Sequence, residues 1–416
     1  MAGTVSRKPD PRALGELLRS CVQCGLCLPT CATWAATGNE VLSPRGRLVL
    51  MQEILADPGA PITPETLQSF DQCIGCRACE AACPSGVPFS LFEHGKELAM
   101  QARQAGTLTV EPPAVPGWLL RRLDRVPVLR TLRSLSRLAV GPRLSRLAAG
   151  MPSVPERDDD LIGLLERLAG GGGFRPSAAV AGDETTGIAI DFFTGCANAG
   201  LLPATSRRLI ELLRNCGCEV RIPARQACCG ALAAHTGRGQ DREDLHLRNE
   251  RTFTRSGAGR WLVVEAAGCG VELKEEYDLG RTEVLDATEA LVKLPLPPMR
   301  PLPLKVAYHA ACHLEHAQGV MDPPRELLRR IPELDLVEPE DAALCCGSGG
   351  VWSLEHPDLA AEIGARKART LAATGARIIV TTNPGCLGQI RGSLTALGLD
   401  IPILPLTDLL WYACRP

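Results

Sequence analysis

The sequence predicts a multidomain chain: a mostly α-helical, cysteine-rich N-terminal domain followed by a duplicated α/β region built on parallel sheets. Three observations predict it. Two runs spaced C-x2-C-x2-C-x3-C lie near the amino end. The triplet CCG occurs at 228–230 and again at 345–347, each time flanked by two lone cysteines. Across the second half, short apolar runs alternate with longer amphipathic segments, the pattern of strands that need helices on the sheet faces.

Length and composition bound the possibilities. A chain of 416 residues with 45% hydrophobic residues exceeds one compact core and should divide into two or three folded domains. The formal charge of -2 provides no global attraction to nucleic acid, and no nucleic-acid partner is expected. The opening stretch MAGTVSRKPDPRALGELLRS lacks an apolar signal region, and no stretch has the apolar length of a membrane span. A cytoplasmic protein is expected. Its 19 cysteines are then poorly explained as disulfides, because the cytosol keeps thiols reduced, and metal binding is the better reading.

The first element, residues 1–105, holds both cysteine runs. CVQCGLCLPTC places Cys21, Cys24, Cys27 and Cys31, and CIGCRACEAACP places Cys73, Cys76, Cys79 and Cys83. This is the bacterial ferredoxin pattern: three thiolates two residues apart wrap one face of a four-iron four-sulfur cube, and the fourth ligates the other cluster. Two 4Fe-4S clusters follow, one on Cys21, Cys24, Cys27 and Cys83, the other on Cys73, Cys76, Cys79 and Cys31. A four-thiolate zinc site is the competing reading, but it leaves the third and fourth cysteines of each run unexplained. Gly25 and Gly75 allow close backbone approach to inorganic sulfide. Ala32 stands where a proline would follow the first run, and Pro29 lies inside it. Between the runs, apolar spacing predicts a helix begun after Pro44 and another from about Pro64. The order resembles the helical iron-sulfur domain of succinate dehydrogenase-like subunits. Arg45 and Arg47 suit neutralisation of a cluster's charge, a partner contact or a solvated face.

The second element, 106–186, is a basic segment and linker. Ahead of it, LFEHGKELAMQARQAG closes the first element as a helix, and TVEPPAVPG breaks it. Trp118 to Gly150 carries eight arginines against the single acid Asp124, with leucines at helical spacing. Peripheral contact with an anionic membrane, a partner subunit, or an interdomain helix pair with a solvated face all fit. Residues 151–186 read as a linker with one short helix.

The third and fourth elements, 187–300 and 301–416, repeat one another. AIDFFTGCANAG aligns with KVAYHAACHLEH, QACCGALAAHTG with ALCCGSGGVWSL, and WLVVEAAGCGVE with IIVTTNPGCLGQ. The first lone cysteine precedes the pair by 32 positions in one unit and 33 in the other; the last follows by 40 in both. Strands are predicted at 188–193, 261–265, 305–308 and 376–382, and helices at 203–215 and 357–373. Cys196, Cys269, Cys312 and Cys386 each lie just past a strand, where α/β folds gather ligands. With Cys228, Cys229, Cys345 and Cys346 they make four thiols per unit, a duplicated metal or redox cup. His309, His313 and His316 surround Cys312 as further donors, proton relays or plain core histidines. Cys216, Cys218 and Cys414 fit neither motif and read as buried thiols.

The CCG triplets with their flanking cysteines are similar to the cysteine-rich CCG domain family of heterodisulfide reductase subunits and dehydrogenase iron-sulfur subunits. Full members end each unit in CxxC; Ala266 and Asn383 replace the first of those cysteines here. Together with SPRGRL after the first run, HLEHAQG from His313 and CCGSGG at 345, the whole order resembles the glycolate oxidase iron-sulfur subunit family. That resemblance implies an electron-transfer subunit whose FAD-binding partner subunits oxidise glycolate to glyoxylate, with a quinone-type acceptor downstream. Related lactate or glycerol-3-phosphate dehydrogenase subunits, or a heterodisulfide reductase-like thiol-disulfide enzyme, are the alternatives. The residues themselves support only the wire: no dinucleotide fingerprint, Ser-His-Asp order or Walker loop is present. No catalytic residue is assigned, and a further iron-sulfur or metal centre is expected in the CCG region.

Overall fold

The computed structural model describes residues 11–57, 59–108, 122–136, 154–169, 186–236, 238–254 and 260–415. Of the basic segment, only 122–136 falls within them. The remainder of that segment, and the GGGG stretch, lie outside the described residues.

The N-terminal part is helical, as the spacing predicts. Ser43 caps the helix Pro44–Ala56 by accepting from the Gly46 amide at 2.9 Å, with Pro44 in the first turn. Thr63 does the same for Pro64–Asp71, accepting from Thr66 N at 3.3 Å. These caps satisfy backbone donors that a helix start leaves orphaned. The helix Ser90–Ala105 closes over them on Phe70, whose ring would lie only 2.2 Å from any Cβ at position 95, so that Gly95 permits the approach. Leu14, Leu48, Met51, Phe70, Leu91 and Ala99 form this domain's core.

Two parallel four-stranded sheets follow, with the same order. The first runs β2-β1-β3-β4, from β1 (Ala189–Phe193), β2 (Glu219–Arg221), β3 (Trp261–Val264) and β4 (Glu283–Asp286). The second runs β6-β5-β7-β8, from β5 (Lys305–His309), β6 (Asp335–Val337), β7 (Ile378–Thr381) and β8 (Ile403–Pro405). The four strands read from the sequence are the central pair of each sheet. The edge strands were not read, because three or four residues are too few to show a period. The helices at 203–215 and 357–373 form with the expected limits.

Side chains alternate across each sheet, and that alternation sets the architecture. Ile190, Phe192 and Val263 of the first sheet and Val306, Tyr308 and Val380 of the second share one core, joined by Cys216, Cys218 and Cys414. Burial pushes the Cys216 and Cys414 thiols up to about 12 and raises that of Cys218, so these three are buried core thiols, as expected. The opposite faces differ. Phe193, Leu262 and Val264 turn toward Leu129 of the helix Val126–Ser136, which packs on Cys196–Leu201. This part of the basic segment therefore packs on the first CCG unit, with Arg130 donating to Ala199 O at 3.4 Å. Ala307 and Ile379 turn toward Ala32 and Ile74 of the N-terminal domain.

Polar groups lock the junction between the two units. Arg208 is fully buried and donates to Asp408 of the second unit and Asp158 of the linker helix Asp158–Leu168, each at 3.0 Å. Glu265 accepts from Asn198 (2.5 Å), Ser206 (2.8 Å) and Thr407 (3.1 Å). Burial raises its carboxyl to about 7, and Asp286 and Asp408 to about 6. An acid raised on folding keeps its proton longer in the folded chain, so stability is greatest below the unfolded value and is lost as pH rises through the folded one. Thermal denaturation should therefore occur at progressively lower temperature as pH climbs from about 4.5 to about 7, and Glu265→Gln should remove most of the slope between about 6 and 7. An unchanged slope in that variant would show that Glu265 does not carry it.

Candidate functional site

The two N-terminal cysteine runs adopt one loop geometry. Each places positive φ at the residues before and after its second cysteine: Gln23 (55°) and Gly25 (80°) around Cys24, Gly75 (80°) and Arg77 (60°) around Cys76. The glycine follows that cysteine in the first run and precedes it in the second, yet the backbone turns alike. Such left-handed turns swing successive amides and thiols toward one side.

Cys31, the last cysteine of the first run, stays near Cys27 and also faces the second run. It lines a chamber with Cys73, Cys76 and Cys79 of the second run, partly open to solvent. The chamber fits a cube held by four thiolates: its donors come from both runs and its remaining wall is mainly apolar, with Phe89, Phe92 and Ile74. Burial, then the neighbouring sulfurs of Cys73 and Cys31, push the Cys79 thiol up, and Arg47 pulls the other way. The Cys27 thiol is raised by burial and by Cys21, Cys31 and Cys24 around it. Cys83 packs in the same apolar cluster as Cys21 and accepts from the Val87 amide at 3.4 Å.

Each arginine of SPRGR attends one loop. Arg47 is 2% exposed, lines the chamber, and donates through Nε to Ser69 O at 2.8 Å and through its Nη atoms to Thr33 Oγ1 at 3.4 Å. Arg45 is paired with Glu40 at 2.7 Å and reaches Gln23 O at 3.4 Å, above the first run.

The chamber abuts the second CCG unit. Burial, then Cys312 and Cys79, push the Cys76 thiol well up. The short helix Ala78–Ala81 packs on the π-turn His313–Ala317, and a side chain at Gly349 would meet Trp352 at 2.8 Å and Ile74 at 3.0 Å. Arg77, between Cys76 and Cys79, grips Glu275 of the first unit at 2.5 and 2.7 Å, and Arg103 bridges Asp71 to Glu355 at 3.0 and 3.5 Å. Sequence reasoning missed the Arg77 clamp; its partner lies far along the chain and no local pattern marks it.

All eight CCG-unit thiols are buried beyond the carboxyl ends of the strands. In the first unit, Cys196 and Cys228 lie 3.4 Å apart and Cys229 and Cys269 3.1 Å apart. In the second, Cys312 and Cys345 are 3.9 Å apart, Gly347 N donates to Cys345 at 3.4 Å and Asn383 Nδ2 to Cys386 at 3.5 Å. Asn383, which stands in place of the expected CxxC cysteine, thus supports the remaining one. Of the three histidines, His313 Nδ1 lies 3.6 Å from Cys312 Sγ, His316 bonds Ala343 O at 3.0 Å, and His309 is buried at the end of β5.

Comparison with known proteins agrees with this division. A 4Fe-4S dicluster domain matches residues 17–87, and a cysteine-rich domain matches 190–274 and again 306–391. The chain is 31% identical to the probable glycolate oxidase iron-sulfur subunit of Bacillus subtilis, over 96% of this chain and 94% of that one. It belongs to the glycolate oxidase iron-sulfur subunit family. The Escherichia coli glycolate oxidase iron-sulfur subunit is 30% identical over 92% of both chains. About half of the chain also matches more distant proteins: 36% identity over 231 residues links 55% of this chain to 47% of a fumarate reductase (CoM/CoB) subunit from Methanothermobacter marburgensis. As a family member the chain is an iron-sulfur, oxidoreductase-associated protein; no helix among the described residues is long and apolar enough to cross a membrane. Because Gly75 holds φ at 80°, Gly75→Val should impose strain of about 1–3 kcal/mol and lower the iron retained on purification. Gln23→Gly, at a position already left-handed, should leave iron content unchanged.

Proposed function

We propose that this chain is the electron-transfer subunit of a glycolate dehydrogenase, carrying two 4Fe-4S clusters in residues 1–105. One is held by Cys73, Cys76, Cys79 and Cys31, the other by Cys21, Cys24, Cys27 and Cys83. The observation that carries the reading is the chamber that Cys31 lines together with three cysteines of the other run. Such clusters, when bound, take up and release single electrons. The residues around them position and tune: Arg47 and Arg45 place one positive charge beside each loop, and the Val87 amide donates to Cys83. Partner subunits bearing FAD would take two electrons and two protons from glycolate, giving glyoxylate, and pass the electrons on singly.

The segment 106–186 joins this domain to two CCG units, 187–300 and 301–416, whose thiols Cys196, Cys228, Cys229, Cys269, Cys312, Cys345, Cys346 and Cys386 form a second set of metal donors. The packing of Cys76 against the cluster that holds Cys312, and the electrostatic influence of Cys312 on it, support an outlet through the second unit toward a quinone-type acceptor. Exposed arginines at 122, 125 and 130 suit a peripheral contact with the anionic, quinone-bearing membrane.

Anaerobic copurification with the flavoprotein partners, with iron, sulfide and flavin counts and glycolate-dependent dye reduction, tests the whole. Cys31→Ser should halve iron and sulfide and disturb the paramagnetic signal that Cys76→Ser also removes. Loss of the signal removed by Cys24→Ser instead would sink the crossed arrangement. Dye reduction with lactate but not glycolate would move the assignment to a lactate dehydrogenase. Arg47→Met should lower one midpoint potential by on the order of 50–100 mV, since a reduced cluster gains negative charge beside the lost guanidinium; Arg47→Lys should stay near the wild type.

A further inference from the structure

The two CCG units repeat in order, register and cysteine spacing, but differ at the last residue of the first strand. Phe193 pairs with Val264 in one sheet, and His309 pairs with Thr381 at the equivalent place in the other. Phe193 packs in an apolar cluster with Leu262, Val264 and Phe253. His309 has no such explanation. It is 1% exposed, and neither Nδ1 nor Nε2 has a hydrogen-bond partner among the described residues. Buried imidazoles left wholly unpaired are rare, because a ring removed from water loses both its donor and its acceptor partner.

What the ring faces is sulfur. The ligand atoms of His309, Cys346 and Cys386 all lie within 4.8 Å of one another, and all three residues are buried. They come from three separate segments: the end of β5, the CCG turn, and the first turn of the helix Pro384–Ala396. On one tetrahedral ion, at about 2.3 Å to sulfur and 2.0–2.1 Å to nitrogen, such donors stand roughly 3.5–3.8 Å apart, so from within 4.8 Å these three need draw together by little more than about 1 Å. Cys345, next in the chain, and Asn383 Nδ2, donating to Cys386 at 3.5 Å, support the set.

We propose that the second CCG unit binds a single zinc or ferrous ion through His309, Cys346 and Cys386, a mixed imidazole-thiolate site that the first unit, with Phe193, does not reproduce. Thiolates and imidazole together suit either ion. Binding releases the two thiol protons and leaves the imidazole neutral, with the metal on one ring nitrogen. The site deepens the proposed function by making the two units unequal, yet it shares no donor with the eight N-terminal cysteines and can be tested apart from them.

The test is a count of zinc, iron and acid-labile sulfide on the anaerobically purified full chain, for the wild type, His309→Phe and His309→Cys. Phenylalanine is what the first unit carries at this place, and circular dichroism checks that each variant folds. The expected result is one equivalent of zinc or iron lost in His309→Phe with sulfide unchanged, retained in His309→Cys. The element lost tells zinc from iron, and for zinc, X-ray absorption should show a nitrogen neighbour in the wild type alone. A folded His309→Phe that keeps the wild-type metal content overturns the site, as does a loss of sulfide along with iron. Wild-type chain with His309-dependent zinc and no sulfide would support this site while sinking the cluster wire.

Discussion

Burying ionisable sulfur is the constraint on which the rest of this molecule depends. A thiolate taken out of water is costly unless cations, amides or a metal replace the lost solvent. The chain answers it locally at each place. Arg47 is carried fully inside the N-terminal domain to face the chamber of Cys31, Cys73, Cys76 and Cys79. Backbone amides of Val87 and Gly347 donate to Cys83 and Cys345. Left-handed turns at Gln23, Gly25, Gly75 and Arg77 bend the chain around its sulfurs. Burial and neighbouring sulfurs raise the Cys76 and Cys79 thiols, so loading these two must displace protons and is tied to pH.

The duplicated half meets a second demand, that of giving two similar units different neighbours. Both sheets turn one face into a common core, and the buried Arg208–Asp408 pair crosses it. Such a pair contributes little net stability, but removing one partner strands the other, so it disfavours other relative orientations of the two units. The outer faces are then free to diverge. The first meets the helix Val126–Ser136, and the second meets the N-terminal domain through Ala32 and Ile74. Placing the second unit against Cys76 makes it the CCG unit whose thiols adjoin the N-terminal chamber.

Much of this was legible in advance, for a physical reason. Metal-binding cysteines in a run are spaced by what a loop can wrap, so their meaning is local, and both runs fall inside the 4Fe-4S dicluster match at 17–87. The repeat was legible because aligned cysteines, central strands and helices such as Pro203–Asn215 recur at fixed intervals. The edge strands β2, β4, β6 and β8 were not read, being short and fixed by their neighbours rather than by their own pattern. Arg45 and Arg47 were singled out, but which one is buried depends on Thr33 and Ser69 folding over it.

The sequence by itself determined the family, the helical and α/β division, and where the clustered cysteines fall, because each is written in residue type and short-range spacing. Tertiary structure alone decided what those sulfurs face outside the motif, Cys76 near Cys312 and His309 with Cys346 and Cys386, whereas the crossing of Cys31 to the second run was already expected from the spacing. These meetings join segments far apart in the chain, and their geometry arises from sheet register and domain packing, which no local pattern encodes.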